Sequence, residues 1–416
     1  MRVTAAPGAA FGLCLALLLL GAPSAARAAC QDVPDAEQGW QDDPYTDGDA
    51  ELVRAAGYVS VGRHMVWGDD HGTREITTML GAVPILWAET PHFRIGSTLP
   101  EYKLQADEKD KIRPELRRLK QRLPGIKDGS RSLDRWLRLH LYAQRLEETY
   151  SEFSALLGVS DADFPAEGVE RAADAPYMGT GPYLGRRGKY LVLLFETKSA
   201  LGRYTVRCGA GQGGESPLQH AFHGNGSMLF GTAAEFFENR FDNDTALHCH
   251  VTWNLTQVLL NGFKDYYHAT PRWISDGLGY WYMRRAHEEY PTFSLLKEPS
   301  SQVTSENDWA RKVRARVKAD VYPSAEDVMH WQQTDVLDFA NHTMMWSRVD
   351  FLMAEKREAF GRFLHRLKDP IPLDGRTPAI EDVFRRQDEA FAAEVFAQSD
   401  FDEAWKEWVL ETYPRK

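Results

Sequence analysis

The sequence predicts an α+β fold, a small mixed β-sheet carrying long helices and followed by a helical C-terminal domain. Three observations predict it. Lys189–Thr197 (KYLVLLFET) is a continuous apolar run, the pattern of a central strand buried on both faces. Between Tyr102 and Leu157, Leu133, Trp136, Leu137, Leu141, Leu146, Tyr150, Phe153 and Leu157 recur at helical spacing until Gly158 stops them. From Ser324 to the end every segment has helical periodicity, so strands and helices are followed by helices alone.

The elements follow in chain order. Arg2, an apolar stretch from Phe11 to Ala22 and the small-x-small site Ala26-Arg27-Ala28 read as an export signal over residues 1–28. That stretch is too short to span a bilayer comfortably, and no later segment approaches the roughly 20 apolar residues a transmembrane helix needs. Acylation at Cys30 is disfavoured because Arg27 stands where lipoprotein signals carry an aliphatic residue. The expected product is exported, periplasmic or extracellular. Residues 29–85 form an acidic leader and a strand-rich segment. Gly57–Trp67 and Ala82–Ser97 carry short β-branched and aromatic runs bounded by Gly and Pro, which suits strands.

An α+β domain is expected over residues 86–290. Besides the central strand, GRYTVR (Gly202–Arg207) and GSMLFGTAAEFF (Gly226–Phe237) are strand candidates, and two helices follow, the second entered through Pro271 and Trp273. Residues 291–416 make the helical domain, loop-rich up to 320. Ser324 with Asp327 and Ser399 with Asp402 have capping-box spacing, and Thr377-Pro378 fits an N-cap with proline at the first helical position.

With 416 residues, 43% of them hydrophobic, the chain can bury one large core or several ordinary ones. Losing the signal removes Arg2 and Arg27 and makes a formal charge of −11 still more negative, which argues against nucleic acid or anionic lipid as partners. Cys14 leaves with the signal. Of Cys30, Cys208 and Cys249, a bridge is expected between Cys208 and Cys249, which flank the same core region.

His248–Leu260 (HCHVTWNLTQVLL) draws the functional question. Leu247, Val251, Leu255 and Leu259 make a stripe at four-residue spacing, so the segment is a helix. Beside it runs a second stripe, His250, Asn254, Gln257 and Asn261. Groups at i and i+4 share a helix face, which is how H-E-x-x-H helices bring two histidines to one zinc ion. Here Val251 stands in the glutamate position and Asn254 in the second histidine position. Valine cannot take a proton from a metal-bound water, and an amide is a poor zinc ligand beside imidazole. On a helix His248 and His250 point about 200° apart, so they do not share a ligand face.

Twenty-two residues after Asn254 stands Asp276, inside PRWISDGLGYW. In order and spacing these segments resemble the gluzincin metallopeptidases, in particular the secreted peptidase MA-like proteins. Those carry H-E-x-x-H on one helix and then P-x-W-[LI]-x-E-G-L-A-x-Y, whose glutamate is the third zinc ligand. Pro271, Trp273, Ile274, Gly277 and Leu278 match the second pattern, with Asp276 in place of the glutamate. ETPHFRIGS, RLEETYSEFSALLG, YLVLLFETKSALGRY, MMWSRVDFLMAEKREAFGRFL and FDEAWKEWVLETY extend the resemblance from Trp87 to the end. It implies a zincin-like fold, with His250 as first ligand, Asn254 in the second ligand position, Asp276 as third, and Val251 in the general-base position.

The expected function is that of an exported pseudopeptidase, without catalytic residues and without a cofactor, whose cleft binds a peptide or another protein. Zinc is the metal the resemblance implies if one is held. Two alternatives stay open: a metal-dependent hydrolase using His250, Asp276 and one of His248, His220 or His223, and a non-catalytic scaffold. Gly209, Gly211 and Gly214 spell G-x-G-x-x-G, but the loop sequence ESPLQHAFHGNGS follows where a dinucleotide site needs a helix. No G-x-S-x-G elbow is present.

Overall fold

A computed structural model describes residues 42–166, 175–208, 216–236, 243–265, 270–290, 307–332, 338–371 and 378–415. The signal segment, Cys30 and the glycines of the G-x-G-x-x-G string lie outside the described residues. The fold is α+β, with a mixed six-stranded sheet and a helical C-terminal region.

The apolar run KYLVLLFET forms β6 (Tyr190–Phe195), and all six of its residues are buried, as a strand covered on both faces requires. The sheet has the order β1 (Ser60–Val61), β2 (Leu86–Glu89), β3 (Phe93–Ser97), β6, β8 (Met228–Ala233), β7 (Leu218–Ala221). β3, β6 and β8 are parallel, with Ile95 opposite Val192 and Val192 opposite Phe230. The outer strands β1, β2 and β7 run antiparallel to their neighbours. A small hairpin-like pair, β4 (Tyr102–Lys103) with β5 (Ser132–Leu133), stands apart. Gly96 is required by packing: a Cβ there would lie 2.4 Å from the Trp87 ring.

Of the helices before the sheet centre, α1 (Ala50–Ala55) and α2 (Thr73–Leu80) are short. α3 (Lys109–Arg122) and α4 (Arg135–Leu157) are long, and α4 carries the helical spacing from Trp136 to Leu157 that the sequence predicts. Asp134 caps α4 through its Oδ1, 2.9 Å from the Leu137 N–H, and Gly158 ends it in the left-handed region at φ +67°. α4 lies against β2 and β3.

Two expectations about the sheet are corrected. GRYTVR is the end of α5 (Lys198–Arg207): Thr197 caps it, and Ala200, Leu201, Tyr204 and Thr205 form one buried face at helical spacing. Local β propensity yields there to tertiary packing. Leu218–Ala221, read as loop, is the edge strand β7. It is short and only partly buried, which leaves no apolar alternation to read.

α6 (Asp244–Gly262) and α7 (Arg272–Ala286) pack together along their length. The C-terminal region contains α8 (Trp309–Lys318), α9 (Ala325–Met329), α10 (Phe339–Glu355), α11 (Arg357–Leu367), α12 (Ile380–Glu394) and α13 (Gln398–Thr412). α8 falls in the span expected to be loop; its Trp309, Val313 and Val317 are buried at helical spacing. The Ser324–Asp327 capping box forms as expected. Asp402 does something else: its Oδ2 accepts from the Ala325 N–H at 2.6 Å and its Oδ1 from Arg348 at 2.9 Å, tying α13 to α9 and α10. α12 begins two residues later than the proline reading expects, with Asp382 accepting from the Ala379 N–H at 2.9 Å. Thr377 lies outside the described residues. Among the described residues no helix is long and apolar enough to cross a membrane.

Candidate functional site

α6 starts at Asn243, whose Oδ1 accepts from the Ala246 N–H at 2.9 Å. Nearly every residue along it is buried, so both the leucine stripe and the polar stripe face protein. The polar stripe therefore has to find partners inside the fold.

His250 is 1% exposed. Its Nε2 lies 3.0 Å from Oγ1 of Thr232 on β8, and the Asn254 amide nitrogen lies 3.3 Å from each ring nitrogen while donating to the His250 carbonyl at 3.0 Å. Asn254 Oδ1 accepts from Gln219 of β7 at 3.3 Å. Edge strand, central helix and sheet thus meet at this pair. Burial lowers the His250 ring to about 3, so it is neutral at ordinary pH. Val251 is buried among apolar neighbours.

Asp276, on α7, is completely buried. Its Oδ1 accepts from Gln257 Nε2 at 2.8 Å, and its Oδ2 has no hydrogen-bond partner among the described residues. Burial pushes its carboxyl up to about 7, against the nearby charge of Arg272 and the Gln257 bond. The structure thus brings His250 to Asn254, and Asp276 to Gln257 one helical turn further along.

The donor set does not fit zinc. Among the described residues no three His, Cys, Asp or Glu side chains form a group that could hold a metal ion. One imidazole engaged by Thr232 and Asn254, one amide engaged by Gln219 and one carboxyl fall short of the donor set zinc takes, the amide being a weak ligand.

His248 points to the other side of α6, as the helical geometry requires. Its Nδ1 accepts from Lys111 Nζ on α3 at 2.7 Å. Lys111 also donates to Glu115 Oε1 at 2.9 Å, and Arg145 of α4 grips Glu115 Oε2 at 2.7 and 3.2 Å. Asp244 accepts from Arg145 at 2.8 Å and from Arg138 at 3.1 Å. The two guanidinium groups hold the Asp244 carboxyl well below the usual range despite complete burial. Burial and the charges of Lys111 and Arg145 hold His248 well below its usual value. A cavity of about 270 Å³ opens beside this network, lined by Lys111, Glu115, Arg145, His248 and Tyr282.

The other histidines raised as ligands lie elsewhere: His220 packs its ring against Phe222 at 4.8 Å on β7, and His223 sits in the β7–β8 turn. The expected Cys208–Cys249 bridge is absent; both are thiols. Cys249 is buried on α6 with its Sγ 3.7 Å from the His287 carbonyl, whereas Cys208 ends α5, its thiol pushed up to about 11 by burial and Asp70. Flanking one core region in sequence does not bring two sulfurs together.

Sequence reasoning missed Thr232, Gln219 and the Lys111–Glu115–Arg145–Asp244 network. Thr232 is the one hydroxyl residue in the buried run Met228–Ala233, and that is the signal that marks it. The buried charges carry no comparable signal, since each sits in an ordinary-looking charged helix face.

No family model matches the chain. No curated protein matches it either. The site is read on its own chemistry.

Proposed function

We propose that the protein is an exported, catalytically silent peptidase-like protein that binds an extended peptide or protein segment beside β7 and α6. One observation carries the reading: the helix keeps the His250–Asn254 face of a zinc helix, but Val251 stands at the base position and the imidazole is bonded to Thr232 and Asn254. Without a base and a metal-activated water, peptide hydrolysis has no attacking group. Binding needs neither. β7 is the edge of the sheet, pairs only with β8 among the described residues, and its exposed Gln219 reaches Asn254. An unpaired strand edge offers a row of N–H and C=O groups to an added strand.

The test pairs two measurements on the purified chain lacking residues 1–28. Incubation with an unbiased peptide mixture is expected to give no cleavage, and the same mixture is expected to yield retained peptides whose binding weakens when Gln219→Pro removes an edge N–H. Cleavage that disappears in His250→Ala would overturn the reading.

A further inference from the structure

One cavity has no part in the His250 region. It measures about 640 Å³ and lies where the end of α7, the start of α8, α10 and the chain end meet. Its wall holds Arg284, which is 8% exposed. The guanidinium carbon sits 4.5 Å from the ring centre of Trp309 and 4.9 Å from that of Trp346, two indoles that meet each other edge to face at 5.6 Å. Its hydrogen bonds are few and long. Nη1 donates to the carbonyls of Asn307 at 3.2 Å and Glu288 at 3.4 Å, while among the described residues Nε and Nη2 donate none. The ion-pair partner is Glu288 Oε2, 3.7 Å from Nη2 on a side chain that is 74% exposed.

A desolvated guanidinium backed by two indoles, with Nε and Nη2 left without a hydrogen bond among the described residues, is suited to a bidentate carboxylate. Glu288 makes only a loose approach to it. The remaining lining sets the rest of the ligand. Trp281 and Tyr413 offer aromatic surface, both held by Asp350, which accepts from the Trp281 indole at 3.1 Å and from the Tyr413 hydroxyl at 2.9 Å. Asp308 is paired with Arg311 and the second cation, Arg285, with Glu152, each at 2.7 Å, which leaves the carboxylates of Glu289 and Asp350 in the wall. This excess of carboxylates disfavours phosphate or sulfate and suits a ligand that carries a cation next to its carboxylate.

We propose that Arg284 is the anchor of a binding site for a free α-carboxylate accompanied by a cationic group, as in a basic amino acid or the basic C-terminal residue of a peptide. Glu288 acts as the internal competitor that an incoming carboxylate displaces.

The experiment is calorimetric titration of the purified chain with L-lysine, with the tripeptide Ala-Ala-Lys bearing a free carboxylate, and with the same tripeptide amidated at its C-terminus. The free tripeptide or lysine is expected to bind, the stronger of the two identifying the source, and amidation is expected to weaken tripeptide binding at least about tenfold, the scale of a lost charge-assisted pair. Arg284→Gln should abolish binding. Because that variant also removes the group packed against two indoles, Glu288→Gln serves as the independent arm: it alters an exposed residue and is expected to tighten binding by up to about fivefold, the scale of an exposed ion pair. Equal binding of free and amidated peptide, no binding of any probe, or weaker binding by Glu288→Gln would overturn the assignment.

Discussion

The two sides of α6 place histidines two residues apart in opposite surroundings. His250 faces hydroxyl and amide groups, and burial alone keeps it neutral. His248 faces Lys111 and Arg145, and positive charge adds to burial in keeping it neutral. The carboxylates nearby diverge more sharply. Asp276, with one amide partner, is pushed toward its protonated form, whereas Asp244, between two guanidinium groups, is held ionised. Equal burial therefore does not decide ionisation; the partners do. The charged side ties α3, α4 and α6 together through ion pairs, and the polar side joins α6 to β7, β8 and α7 through neutral hydrogen bonds.

The largest effect should come from the charged side. Asp244→Asn leaves Arg138 and Arg145 facing a neutral amide in a buried network, and is expected to cost about 3–5 kcal/mol in urea unfolding. Its folded value lies below the ordinary 3.8 of an aspartate, so this contribution is full above pH 4 and declines as pH falls through the folded value.

The polar side should show the opposite slope. Asp276 is raised from 3.8 to about 7, so its contribution is greatest below pH 4 and is lost as pH rises toward 7. Asp276→Asn keeps the carbonyl that accepts from Gln257 and removes the ionisation. It is expected to stabilise the protein at pH 8 by on the order of 2–4 kcal/mol and to change little at pH 4, read by unfolding curves at both pH values. Equal effects at the two pH values would break the contrast between the sides.

Smaller changes sharpen it. Asn254→Ala is expected to cost about 1–2 kcal/mol, the scale of a buried hydrogen-bonded group, with no new pH dependence below neutrality. Lys111→Met should raise the titration midpoint of His248 and leave His250 unmoved, as followed by imidazole proton resonances.

Much of this is legible in the sequence. The four-residue spacing of Leu247, Val251, Leu255 and Leu259 specifies α6, and the unbroken apolar run specifies β6, because each pattern repeats within its own element. The opposed directions of His248 and His250 follow from the helical turn alone. What is not legible depends on contacts between distant segments. Lys111 and His248 are 137 residues apart, and Arg138 and Asp244 are 106 apart. The pairing of Gln257 with Asp276 joins α6 to α7 and likewise needs the folded arrangement. GRYTVR misleads for the same reason: its β-branched and aromatic residues suit a strand until the buried face of α5 is seen.

The most direct test of the account is the zinc content of the purified mature chain, prepared without chelator and measured by elemental mass spectrometry. The account predicts zinc at background, in the unaltered chain and in His250→Ala alike. About one zinc per chain, lost on replacing His250, would contradict it.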